Sequence, residues 1–355
     1  MKDIFVVGDE RTINSKIDFT FPVFASLPNV KSYTFQELMR NKKPMASEVP
    51  VLVCFPYELW DEIVETGNGL YGLGSFRDPI KLFAEYLTSF LDKNFPKARF
   101  VNDPMSIIIE RDKYLTKQIL KKEGISVAKD IDKTLNSVLK EVEFGRSVYI
   151  KPRYGSLGKG ITYVSPKKWT TNFKYDGNNI ENHDDDKDWN EIEITGDTEF
   201  LKKILSEDVV VEKAIVNSKT NGFKLDLRVT SIYETINPKF AYARVTSDKS
   251  VTNISQGAKE MSLEKLMEFV PKQQVEKALK LIRNCSKILN LNYAGGDVLF
   301  EGENFEPVFL EINSYPGPYK SRELFPVLYE EIFSKFYRMQ ELTDEMQYNQ
   351  SLYPI

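Results

Sequence analysis

Histidine and cysteine, which supply most zinc sites and many catalytic centres, are nearly absent from this sequence of 355 residues. The one histidine, His183, lies in the acidic stretch 182–186. A lone histidine is a poor basis for a zinc site or a histidine-based triad, so we expect neither. The two cysteines, Cys54 and Cys285, lie far apart in apolar surroundings. This placement favours buried thiols over a disulfide or a metal site.

Long apolar runs and an excess of positive charge are also missing. No stretch approaches the roughly 18 apolar residues of a membrane-spanning helix. Residues 1–9 lack the basic region and cleavage site of a signal peptide. The net charge of -4 argues against nucleic acid or an anionic membrane as the main partner. We therefore expect a cytoplasmic protein that binds neither nucleic acid nor membranes.

The hydrophobic and charged contents, 41% and 28%, are those of an ordinary globular protein. The length fits two or three packed subdomains. Over the first hundred residues, strand patterns alternate with helical patterns, which predicts a parallel sheet covered by helices. Later strands follow one another through short turns, which favours antiparallel pairing. The sequence therefore predicts an α/β fold with α+β character in its C-terminal half.

The first chemical signal is a set of oxygen-bearing side chains on two successive strands. Asp297 lies on the first strand, and Glu311 and Asn313 follow on the second after a short turn. Because side chains alternate along a strand, Glu311 and Asn313 face the same way, and Asp297 can face them. Three such oxygen ligands suit Mg²⁺. The alternative is two exposed hairpin carboxylates beside a turn-forming asparagine.

The second signal is a Gly-rich turn that follows an apolar strand ending in Lys151. Gly155, Gly158 and Gly160 would let the backbone approach phosphates and donate N–H groups to them. The turn joins two strands and lacks the spacing of a Walker A loop, and it is not a Rossmann fingerprint. Most Gly-rich hairpins are only turns, but a lysine at the end of an apolar strand favours an anion nearby.

The third signal is a pair of arginines on neighbouring strands. Arg228 and Arg244 would project from adjacent antiparallel strands, and Asn253 follows in a loop. Arginine is suited to hold a phosphoryl or carboxylate group with two hydrogen bonds. Salt bridges on the strand surface are the alternative for either arginine alone.

Together these motifs, in this order over about residues 102–320, resemble the ATP-grasp superfamily. Within it the sequence is most similar to the glutathione synthetase-like group, which includes the ligases that add glutamate to a ribosomal protein. The resemblance implies the following roles: nucleotide binding by Lys113, Lys151, Gly155, Ser156, Gly158, Gly160, Glu212, Lys213 and Asn253; catalysis by Arg244 and Arg228; and metal binding by Asp297, Glu311 and Asn313.

The resemblance also implies a reaction. A carboxylate would attack the γ-phosphoryl group of ATP, and an amine would then displace phosphate from the acyl phosphate. The expected cofactors are ATP and Mg²⁺, with Mn²⁺ as a substitute for Mg²⁺. The expected partners are small-molecule or peptide carboxylates and amines, and a homodimer is a further hypothesis. Two alternatives stay open: a kinase that phosphorylates a hydroxyl, and a nucleotide-binding regulator without turnover.

The resemblance finally implies three parts: an N-terminal pre-ATP-grasp domain at 1–103, a central lid subdomain at 104–206, and a C-terminal subdomain at 207–345 that carries the metal site. Residues 166–198 are polar and rich in aspartate. We interpret them as a solvent-exposed acidic insertion that builds no core. On this interpretation, removing part of 170–196 should spare nucleotide binding.

Overall fold

The computed structural model describes residues 4–14, 30–40, 49–66, 69–184, 188–216, 222–247, 251–254, 257–316 and 324–352. Its N-terminal part is a parallel sheet of four strands in the order β2-β1-β3-β4. The strands are β1 (Ile4–Gly8), β2 (Val30–Thr34), β3 (Val49–Val53) and β4 (Ala98–Phe100). The helices are α1 (Glu10–Asn14), α2 (Phe35–Arg40), α3 (Tyr57–Thr66) and α4 (Arg77–Asn94), with a 3-10 turn at Gly74–Phe76. The predicted parallel sheet is confirmed.

The middle of the chain forms an antiparallel sheet of five strands in the order β10-β7-β6-β5-β11. Its strands are β5 (Val148–Pro152), β6 (Thr162–Val164), β7 (Trp169–Thr171), β10 (Ile192–Glu193) and β11 (Val209–Lys213). A small hairpin joins β8 (Lys174–Tyr175) to β9 (Ile180–Glu181). The helices are α5 (Ser106–Arg111), α6 (Lys113–Lys122), α7 (Leu135–Glu143) and α8 (Thr198–Ser206). Strand β11, which the boundary at 206/207 assigns to the third part, pairs with β5 in this sheet.

The C-terminal sheet is also antiparallel, in the order β14-β13-β12-β15-β16. Its strands are β12 (Lys224–Ile232), β13 (Thr235–Thr246), β14 (Lys259–Ser262), β15 (Tyr293–Glu301) and β16 (Glu306–Asn313). Three helices accompany it: α9 (Leu263–Leu266), α10 (Lys272–Ile288) and α11 (Leu324–Leu352). Helix α10 packs on β12, β15 and β16 through an apolar stripe that includes Val275, Ala278 and Ile282. The α/β fold with antiparallel sheets in its later part is confirmed.

Local sequence signals explain where helix α6 begins and ends. The Asp112 side chain accepts a hydrogen bond from Leu115 N at 2.9 Å and caps the first turn. Gly124, which adopts a φ of +76°, follows the last turn. The cap fixes Lys113 as the first residue of the helix, and Lys113 N donates to Arg153 O at 3.1 Å.

The interpretation of 166–198 as a solvent-exposed insertion without a core is wrong for its described residues. Trp169, Phe173, Trp189 and Ile194 are buried, with Phe173 completely so. They belong to the same apolar cluster as residues from β3, α3 and α8. The many polar side chains of this stretch make its average composition polar, but most of the described acidic ones lie on the outside and most of the aromatic ones are buried. The few aromatic residues are large enough to build a core without a regular spacing.

Both cysteines are buried free thiols, as predicted. Cys54 lies in the cluster shared by the first two sheets, and Cys285 lies under the third sheet. Burial raises the pKa of the Cys285 thiol to about 12. Within the described part of the chain, no helix is both long and apolar enough to cross a membrane.

Phe173→Ala should destabilise the protein by about 3–5 kcal/mol, because it empties a fully enclosed site in the core. Phe144→Ala is the matched control, since that ring is 60% exposed and should cost less than about 1 kcal/mol. Urea unfolding of both variants measures the difference. Equal stabilities would show that residues 166–198 do not contribute to the core.

Candidate functional site

A pocket lies between the second and third sheets, and most of the predicted site residues line it. The predicted residues at its wall are Lys113, Lys151, Gly155, Ser156, Gly158, Glu212, Lys213, Arg244, Asn253, Asp297 and Glu311. Apolar side chains complete the wall, including Ala128, Ile161, Ile215, Leu299 and Leu310. Three predicted residues, Gly160, Arg228 and Asn313, do not line the pocket.

Asp297 and Glu311 face each other across the β15–β16 hairpin. They are partners in the register, and the ladder shifts immediately after Asp297. Asn313 lies opposite Gly295, two residues beyond Glu311 and therefore on the same face. Burial raises the pKa of Glu311, and the Asp297 carboxylate beside it raises it further.

This donor set fits a hard divalent cation. The two facing carboxylates and one nearby amide are oxygen ligands of the kind that Mg²⁺ prefers. No group of three or more acidic, histidine or cysteine side chains suited to a metal occurs in the described ranges. The other ligands of a cation would therefore have to come from amide, substrate and water oxygens, as is usual for Mg²⁺.

Two arginines hold Asp297 from neighbouring strands. Arg228 Nη1 lies 2.7 Å from Asp297 Oδ1, and Arg244 Nη2 lies 2.8 Å from Asp297 Oδ2. Although burial opposes ionisation, these guanidinium groups lower the pKa of Asp297. Arg244 is itself held by both oxygens of Asp226, at 2.7 and 2.6 Å, and Thr252 donates to the same carboxylate. The result is a buried chain of alternating charges across β13, β12 and β15.

The sequence interpretation did not identify Asp226 and Thr252 as parts of this network. The sequence does contain a signal for Asp226. It precedes Arg228 by two residues, so both face the same side of β12, and it lies opposite Arg244 on β13. Thr252 lies in a loop and carries no such periodic signal.

A second charge cluster surrounds Glu212 on β11. Lys151 Nζ lies 2.6 Å from Glu212 Oε2, and Lys117 Nζ lies 2.9 Å from Glu212 Oε1. Burial opposes ionisation of Glu212, but the two lysines lower its pKa to about 2. Lys117 also contacts Asp130. Lys117 was not identified from the sequence, although it lies one helical turn after Lys113 on α6.

Lys113 connects helix α6 to the glycine loop, which we define as residues 155–160. Its ammonium donates to Gly155 O. Burial lowers the pKa of Lys113 to about 8, and the charges of Arg111 and Lys151 lower it as well. Within the loop, Gly160 adopts a φ of +71°, and a Cβ there would lie 2.7 Å from the Phe173 ring. Gly160 therefore shapes the loop rather than the pocket wall.

The sequence matches the YheC/D-like ATP-grasp family over residues 109–334. This match covers more than half of the chain, so the protein belongs to that family. Membership confirms the resemblance to the ATP-grasp superfamily. Among curated proteins, none matches the sequence.

Several solved structures are similar in fold. The ATP-grasp ligase PsnB, complexed with minimal precursor, Mg and ADP, is 11% identical, with a TM-score of 0.53 and coverage of 93% of this chain and 97% of PsnB. The D-alanine–D-alanine ligase from Bacillus anthracis, complexed with ATP, is 16% identical, with a TM-score of 0.55 and coverage of 97% and 99%. The D-cycloserine synthetase DcsG is 11% identical, with a TM-score of 0.53 and coverage of 93% and 99%.

The lowered pKa of Lys113 predicts a pH-dependent affinity for ATP. Above about pH 8 the Lys113 ammonium of the ligand-free protein loses its proton. A phosphate then binds only after the amine has been protonated again. The affinity for a non-hydrolysable ATP analogue should fall by up to about tenfold per pH unit above that value. Lys113→Arg should remove the decline, because the guanidinium stays charged. Calorimetry on both proteins measures this, and identical pH profiles would exclude Lys113 as a phosphate ligand.

Proposed function

We propose that this protein is an ATP-dependent ligase that joins a carboxylate to an amine through an acyl phosphate. The observation that carries the proposal is one pocket in which lysines and a glycine loop lie together with a buried carboxylate pair and an arginine. Membership of the ATP-grasp family supports ATP binding. The fold is shared with ligases that were solved with ATP or with Mg and ADP.

The pocket offers separate surroundings for the two halves of ATP. Apolar side chains such as Ile215 and Leu299 suit the adenine ring, next to Glu212 and Lys213 on strand β11. Lys113 and Lys151 are the cations for the phosphates. Lys151 now pairs with Glu212, so a phosphate would compete with that carboxylate for the ammonium.

Asp297, Glu311 and Asn313 would hold Mg²⁺, or Mn²⁺ in its place. Bound there, the cation would neutralise charge on the β- and γ-phosphates. Glu311 fits this role because burial, together with repulsion from the Asp297 carboxylate, raises its pKa, so its negative charge is poorly stabilised without a cation. A divalent cation between the two carboxylates would relieve that repulsion.

In the first step, a carboxylate oxygen of the substrate forms a bond to the γ-phosphorus, and the bond from that phosphorus to the bridging oxygen breaks. ADP leaves with the electron pair. Arg244 lines the pocket and would neutralise the transferring group. Arg228 does not line the pocket and would act by holding Asp297.

In the second step, the amine attacks the acyl carbon, phosphate leaves with the electron pair of the broken C–O bond, and the amine loses a proton. The acyl carbon of the intermediate already carries phosphate as a good leaving group, so the reaction requires no histidine or cysteine nucleophile. The chain must only position the amine and exclude water. The glycine loop, which forms one wall of the pocket, would exclude water.

Hydroxylamine should trap the intermediate. We expect ADP rather than AMP as product, and a hydroxamate when hydroxylamine replaces the amine, because only a carboxyl phosphate reacts in this way. A screen of amino acids and short peptides as carboxylates, with ADP release as the first readout, identifies the substrate for the trapping experiment. AMP and pyrophosphate would contradict the mechanism. ADP with a stable phosphorylated alcohol would indicate a kinase instead.

Asp297→Asn and Glu311→Gln should each lower ATP turnover by at least about 100-fold, since each removes a charge that holds the cation. Glu311→Gln is the cleaner variant, because Asp297→Asn also removes the ion pairs of Asp297 with Arg228 and Arg244. Glu301→Gln, at the exposed end of the same strand as Asp297, is the control and should keep full activity. ADP release measures all three, and near wild-type rates for both site variants would exclude this metal site.

A further inference from the structure

A short segment of the N-terminal domain lies beside the nucleotide pocket: residues 69–73, which we call the contact segment. It lies between α3 and α4 and packs directly on the glycine loop and the residue before it. Tyr154 N donates to Gly72 O at 2.8 Å. A Cβ on Gly72 would lie 2.5 Å from Gly155 Cα, so only glycine fits this close approach.

Tyr71 makes the contact specific. Its phenol oxygen lies 2.7 Å from Ser156 Oγ, and Ser156 lines the pocket. The Tyr71 side chain is 1% exposed, and its ring packs on Trp60, Phe76 and Trp189 at centroid distances of 6.1, 5.6 and 5.5 Å. A ring held on three sides gives its hydroxyl one position, and that position is at the loop.

The segment 166–198 holds Tyr71 in turn. Asn182 Oδ1 accepts from Tyr71 N at 2.7 Å, and Asn182 Nδ2 donates to Gly69 O at 3.0 Å. One amide side chain therefore fixes the backbone of the contact segment at two points. This is a specific function for a part of the chain whose composition suggests only a solvated insertion.

The same segment also fixes the other end of the glycine loop. Asn172 Nδ2 donates to Gly158 O, and Asn172 Oδ1 accepts from Ile161 N, both at 2.7 Å. The ammonium of Lys159 lies 5.2 Å from the Tyr71 ring centroid and 5.7 Å from that of Trp189. The loop is thus held by Tyr71 at its start and by Asn172 at its end, and the Lys159 ammonium lies near two aromatic rings.

We propose that Tyr71 is a positioning residue of the nucleotide site, which holds the glycine loop on the pocket through Ser156 while Asn182 holds Tyr71. This inference rests on the proposed function in one respect, namely that the loop protects an acyl phosphate from water. The hydrogen bond between the hydroxyl groups of Tyr71 and Ser156 can break and form again, because a single neutral hydrogen bond contributes little net free energy. The N-terminal domain thereby controls whether ATP consumption leads to product or to hydrolysis.

Tyr71→Phe removes only the hydroxyl and keeps the ring in its cluster. We expect KM for ATP to rise about 3- to 10-fold, the range of one lost hydrogen bond. We also expect at least about threefold more ADP per hydroxamate formed, because water enters more easily. Asn182→Ala should show the same defect. Asn182→Asp, which keeps the acceptor for Tyr71 N, should restore part of the coupling.

Tyr175→Phe is the matched control. It removes a well-bonded phenol hydroxyl of the segment 166–198, whose oxygen lies 2.7 Å from Gly177 O and 2.8 Å from Asp197 Oδ2. Neither partner belongs to the glycine loop, so KM and coupling should stay at the wild-type values. A Tyr175→Phe defect as large as that of Tyr71→Phe would overturn the proposal, because it would show a general effect of the segment.

Limited trypsin digestion tests the loop without relying on ligase chemistry. Lys159 is the cleavage site within the loop, and it is 8% exposed. With AMP-PNP bound, we expect the Tyr71→Phe protein to be cut there at least about threefold faster than the wild type. Equal cleavage rates together with an unchanged KM would overturn the proposal. If the wild type forms no hydroxamate, the proposed ligase reaction fails, but the digestion still decides the role of Tyr71.

Discussion

Asp297 is completely buried and lies between two arginines, and the arrangement of the candidate site depends on these ion pairs. A completely buried carboxylate without ion-pair partners would lower the stability of the folded protein by several kcal/mol. Arg228 and Arg244 can both reach it only if β12 pairs with β13 and β15 in the observed register. A slip by one residue would turn the arginines to the other face of the sheet. The ion network therefore favours the observed register of β12 with β13 and β15, and the pairing of β15 with β16 sets Glu311 opposite Asp297.

The pocket lies between two charge clusters that are each nearly balanced before any ligand binds. In one, Asp226, Arg244, Asp297 and Arg228 alternate in sign. In the other, the carboxylates of Glu212 and Asp130 offset the ammonium groups of Lys117 and Lys151. Lys113 lies in the same pocket, and burial lowers its pKa although the charge of Glu311 partly opposes this effect. An anionic ligand in the pocket would therefore stabilise the charged form of Lys113.

Sequence reasoning was most successful where the evidence was local. The alternation of side chains along strands placed Asp297 opposite Glu311, and the alternation of strands and helices predicted the parallel sheet. It could not find contacts between distant segments, such as Lys117 with Glu212 or Tyr71 with Ser156, because nothing in the local pattern specifies the partner. The proposed division at 103 and 206 stays a prediction, and β11 already pairs with a strand before the second boundary.

The error about residues 166–198 has a physical explanation that also accounts for their role. Asp176 and Asp184 are exposed, whereas Phe173 and Trp189 are buried, so an average over the segment hides two different faces. The aromatic face does not form a core by itself, since its partners are Tyr71 from the N-terminal domain and residues of α8. The buried side chains of this segment therefore connect the N-terminal domain to α8. Uncharged amides make further contacts: Asn172 binds the glycine loop at Gly158 O, and Asn182 binds the contact segment at Tyr71 N and Gly69 O.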